Sequence, residues 1–119
     1  MANASKFGTS LLRVEVMTVT GGSQVDAAQI PLKSSPALVI AAGDGVAGIK
    51  LPPASKGMTF FVKNTGTSGF LGILKVYPAT GHQVNTLGAN VAMQMATLTS
   101  AVFIAANSTT WYTFSFLPS

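Results

Sequence analysis

The sequence predicts an all-β fold, a single-domain β-sandwich of jelly-roll-like type with about eight short strands. Three observations carry that expectation. Runs rich in Val, Ile, Thr and aromatics alternate with period two, turn signals part them about every 8 to 12 residues, and no stretch holds a convincing helical period. The 119 residues are enough for one core without staples. No internal repeat or linker divides them, so the expected organisation is a polar, flexible arm over residues 1–10 and one β domain over 11–119.

The first strand is expected over residues 12–20, with Val14, Val16 and Thr18 on one face and Arg13, Glu15 and Met17 on the other. Gly21-Gly22-Ser23 stops it. Residues 26–32 read as a loop or an edge strand, because Pro31 limits any helical turn. The run PALVIAA over 36–42 is apolar throughout, as in a strand buried on both faces. Residues 46–51 resume as a strand, and Pro52-Pro53 ends it. Residues 58–64 follow, with Phe60 and Val62 opposite Phe61 and Lys63, and TGTSG over 65–69 is a loop by composition.

The stretch LGILKVYPATGHQVN over 71–85 has the plainest local reading. Leu71, Ile73, Lys75 and Tyr77 alternate with Gly72, Leu74 and Val76, and Pro78-Ala79-Thr80-Gly81 turns the chain, giving a β-hairpin or a β-arch. Val91, Met93 and Met95 then alternate with Ala92, Gln94 and Ala96, and residues 98–105 form another strand. In the last strand, over 109–117, Tyr112, Phe114 and Phe116 share a face that is expected to lie inside. Trp111 falls opposite, with Thr113 and Ser115. That makes Trp111 a candidate interface anchor or sugar-stacking residue.

Composition narrows the function classes. Hydrophobic residues are 48% and charged residues 8%, against about 25% charged in ordinary soluble domains. Such a surface suits a subunit that lives in an assembly. The net charge of +4 comes from Lys6, Arg13, Lys33, Lys50, Lys56, Lys63 and Lys75 against Glu15, Asp26 and Asp44. No two basic residues adjoin, so the stripe with interleaved aromatics that nucleic-acid binding needs is missing. The lysines suit strand edges guarded against mispairing. Residues 87–106 lack charge, but Asn90, Gln94, Thr97, Thr99 and Ser100 argue for short strands over a membrane span. Arg13 and Glu15 interrupt the apolar start, so no secretory signal is expected.

No constellation points to catalysis. Gly43-Asp44-Gly45-Val46-Ala47-Gly48 matches the G-x-G-x-x-G string, yet Pro52-Pro53 leaves no room for the helix that would hold a pyrophosphate. Those glycines read as a turn and bulge. His82 is the single histidine, with all three carboxylates upstream of it, and it reads as a polar turn residue rather than a triad base. There is no cysteine, and one histidine with no acidic loop suits neither zinc nor calcium. No enzyme activity, cofactor, metal or small-molecule substrate is expected.

VYPATGHQVN over 76–85 and TTWYTF over 109–114 resemble a recurrent family of small tailed-bacteriophage virion proteins. Further matching pieces are SQVDAA over 23–28, Gly45-Val46, Leu51-Pro52-Pro53-Ala54, Gly57 and FVKNTG over 61–66, so the likeness spans nearly the whole chain. These are turn and strand-edge motifs rather than chemical ones. One departure is the segment 45–52, which carries two extra residues and bears on the local bulge. The resemblance implies a capsid decoration, or cement, protein: all-β, trimeric, made in the host cytoplasm and seated on the virion's capsid surface. Its implied partner is the lattice of the major capsid protein. Lys6 and Phe7, in the arm, join Trp111 as interface candidates. The alternative is a carbohydrate-binding or host-recognition module of a tail appendage, motivated by Trp111.

Overall fold

A computed structural model describes residues 12–31, 35–67 and 69–116, with the side chains of Gly69, Phe70 and Phe116 left aside. The described residues form ten strands: β1 (Arg13–Met17), β2 (Ala28–Gln29), β3 (Ala37–Ala41), β4 (Gly48–Lys50), β5 (Thr59–Asn64), β6 (Leu74–Tyr77), β7 (Gln83–Val84), β8 (Met93–Met95), β9 (Ser100–Ala105) and β10 (Thr110–Phe116). Among the described residues the one helical piece is a 3₁₀ turn at Gly69–Gly72, where the sequence suggested that the β6 strand had already begun.

The strands make two sheets, ordered β1-β3-β5-β9-β10-β7 and β2-β4-β6-β8. From β1 to β9 the chain changes sheet at every strand. Parallel neighbours need a long crossover, commonly a helix. Here each crossover is a strand of the other sheet, so β1, β3 and β5 stack in parallel on one side and β2, β4 and β6 on the other. This is solenoid-like stacking, whereas a jelly roll pairs its strands antiparallel in Greek keys. The last strands close it: β9 runs antiparallel to β5 and β10, and β8 antiparallel to β6. The 71–85 stretch is accordingly an arch, with β6 in one sheet and β7 in the other.

The core lies between the sheets. Val39, Phe60, Val62, Phe103 and Trp111 from the six-stranded sheet meet Ile30, Ile49, Leu51, Leu74, Val76 and Met95. Phe60 and Trp111 pack at tilted angles with ring centroids 6.0 Å apart, a favourable aromatic geometry. The inside and outside of β10 are therefore the reverse of the sequence expectation. Trp111 is fully buried, whereas Tyr112 and Phe114 are 49% and 58% exposed. The reason is register: pairing Trp111 with Ala105 and Thr113 with Phe103 places Trp111 on the inner pleat. A single indole over small Ala105 fills the space between the layers. The Phe116 side chain lies outside the described ones.

Candidate interaction surface

The three carboxylates and the histidine each make local hydrogen bonds. Asp44 Oδ1 accepts the N–H groups of Val46 and Ala47 at 2.9 and 2.7 Å, which holds its carboxyl below the ordinary range. That turns GDGVAG into a capped turn between β3 and β4, tied down where Gly45 N–H donates to the Ile73 carbonyl at 2.9 Å. Glu15 pairs with Arg13 at 3.1 Å, and Asp26 accepts from Ser23 Oγ at 3.4 Å. His82 Nδ1 accepts the Ala54 N–H at 3.4 Å, and its own carbonyl takes the Asn90 N–H. Among the described residues, no group of three His, Asp or Glu could hold a metal ion.

One buried polar side chain organises the core. Asn64, at the end of β5, is fully buried. Its Oδ1 accepts from Gly43 and Gly66 N–H at 2.9 and 2.8 Å, and its Nδ2 donates to the carbonyls of Gly72, Met95 and Ala96 at 2.9, 3.1 and 3.0 Å. It thus pins both sheets at one end. The approach is so close that a Cβ at Gly43 would strike the Gly72 and Ile73 backbone, which explains glycine there.

Of the three interface candidates, Lys6 and Phe7 lie outside the described residues. Trp111 is a core residue with no exposed surface, and its Nε1 finds no acceptor among the described residues. It is neither a surface anchor nor a sugar-stacking platform.

What the sequence did not single out is the outer face of the six-stranded sheet. Pairing aligns Val14, Leu38, Phe61, Val102 and Phe114 in one row across five strands. Beside it run Val16, Ile40 and Lys63, and on the other flank Ile104 and Tyr112. Val14 and Val16 are 54% and 75% exposed. Leu12, Leu38, Phe61 and Lys63 line an apolar groove of about 280 Å³ on this side. Lys63 is the one charged residue in the rows, and its Nζ reaches sideways to the Leu98 carbonyl at 3.0 Å. The signal for this face lay in the alternation of both terminal strands. For the last strand the expectation places the aromatic face inside, because apolar faces usually go there; for the first strand it assigns neither face to the core.

Comparison of the chain with protein-family models, with curated proteins and with solved structures finds no match. Fold and surface together define an all-β protein of two solenoid-stacked sheets with an exposed apolar sheet face.

Proposed function

We propose that the chain is a structural subunit of a bacteriophage particle: a capsid decoration, or cement, protein, made in the host cytoplasm, that binds the assembled shell non-covalently as a homotrimer. The observation that carries this reading is the broad apolar sheet face, which supports the homo-oligomeric subunit rather than the shell contact itself, on a chain whose carboxylates and histidine are engaged in local hydrogen bonds. It is a surface built for contact rather than a site built for turnover. The resemblance of the 76–85 and 109–114 segments to small phage virion proteins supplies the setting. The body belongs to this reading as a sandwich-like pair of layers wound in coils.

Mass action supplies the mechanism. A protein that binds only the assembled shell stabilises that state by its binding free energy, and a trimer multiplies weak contacts through effective concentration. The tail-appendage reading loses its motivating residue with Trp111 in the core. Co-sedimentation with empty expanded shells tests the proposal. Saturable binding that raises the temperature of shell disruption is expected, and failure to pellet with any shell form overturns it.

A further inference from the structure

We infer that the outer face of the six-stranded sheet is the surface on which copies of this chain meet, each copy burying the same face. The inference deepens the homo-oligomer part of the proposed function and does not depend on the capsid part. Its starting point is a reversed pattern in two strands. In β1 the valines point outward, while Arg13 and Glu15 point toward the other layer and stay half-exposed. In β10 Tyr112 and Phe114 point outward, while Thr113 and Ser115 point inward. A one-residue slip in either strand would exchange the faces, since side chains alternate strictly. Neither strand slips. Both present their apolar side to the same outer surface.

Size decides what kind of contact the face can make. Five strands about 4.8 Å apart and five residues at about 3.3 Å each give roughly 24 by 17 Å, or about 400 Å² in projection. Corrugation by side chains raises the accessible area toward the roughly 500 Å² per partner that the smallest specific interfaces bury. A patch of that size lies within the range of about 300–600 Å² that the largest patch of a monomer reaches and is often functional, and its apolar composition is that of a homo-oligomer interface core.

The occupant follows from what is available. A foreign lattice would leave the face wet from synthesis until docking, a standing aggregation hazard. Another copy is present from the moment of synthesis. With Lys63 as the single charge, directed to the rim, like-charge repulsion between copies is small.

Val16→Lys/Phe114→Lys places charges at two exposed positions, so the single-chain fold tolerates them; the buried Trp111 reports that fold by its blue-shifted emission. Wild type is expected at a multiple of the 12.2 kDa chain mass in native mass spectrometry, and the double variant at one chain with unchanged emission. Because the chain has no cysteine, Phe114→Cys is a second probe: it should cross-link between copies, whereas Gln94→Cys on the opposite sheet should not. A wild type that stays monomeric at its highest soluble concentration overturns both this inference and the homo-oligomer. An oligomer that survives both lysines, or that cross-links through Gln94→Cys and not Phe114→Cys, overturns the face alone.

Discussion

Asn64 is the residue on which the rest of the fold most depends. An amide offers two donor hydrogens and an acceptor oxygen, and here every one is used against backbone groups of four different segments. Asn64→Leu would strand the Gly43 and Gly66 N–H groups and take this donor from the Gly72 and Met95 carbonyls, while the Ala96 carbonyl keeps Thr99, and each orphan costs about 1–3 kcal/mol. A total loss of about 3–5 kcal/mol is expected in urea unfolding. Asn64→Asp keeps the acceptor but turns a negative oxygen toward three carbonyls, so its stability should improve on acidification, opposite to the wild type. Asp44 works through charge. Its folded-state pKa lies below its unfolded value because two backbone N–H groups bind the carboxylate. The stability it adds is therefore present above its unfolded pKa, near 3.9, and vanishes as pH falls through the lowered value. Asp44→Asn should melt below wild type at neutral pH, and the two melting curves should converge in acid.

At the scale of elements, the coil is the unit. Each strand of the β1-β3-β5 stack meets its neighbour at nearly the same height, so Val14 lies beside Leu38 and Leu38 beside Phe61. The four-stranded sheet requires equally close stacking. Gly48 in β4 sits where a Cβ would come 2.5 Å from the Lys75 carbonyl oxygen in β6, and it also bridges Thr20 through a pair of 3.2 Å hydrogen bonds. Gly48→Ala must push two paired strands apart, at a cost of about 1–3 kcal/mol. Hydrogen exchange should then quicken in β4 and β6 before it does in β5 and β9. Strand positions were largely readable, because alternation survives in β1, β5, β6, β8 and β10. Strand partners were not. Coils of unequal length hide the repeat, and an apolar strand such as β3 gives no clue to which face is inside.

For the whole molecule, the predictions concern assembly. Deleting residues 2–10 should weaken shell binding while leaving the domain's melting temperature nearly unchanged, since the described core and the side chains packed against it lie within residues 17–111. Retention of full binding by the truncated protein would remove the arm from the mechanism. Salt gives a separate reading. An interface made mainly of the apolar sheet face should hold from low to high ionic strength, because screening acts on exposed charges and barely on apolar burial. Dissociation of the oligomer by moderate salt, measured by sedimentation, would point instead to contacts through the scattered lysines.

The sequence by itself determined that the chain is all-β, where most strands fall, and how few ionisable side chains it carries. Those properties are local: alternation, turn chemistry and the scarcity of ionisable side chains can be read a few residues at a time. Only the tertiary structure decided which strands pair, that Trp111 rather than Tyr112 and Phe114 faces the core, and that Asn64 joins the two layers. Period two states that two faces differ but not which one meets the opposite sheet. That choice is made by the register of the whole stack and the space left between its layers. An asparagine near a loop likewise looks like an ordinary turn residue until the backbone groups around it have converged.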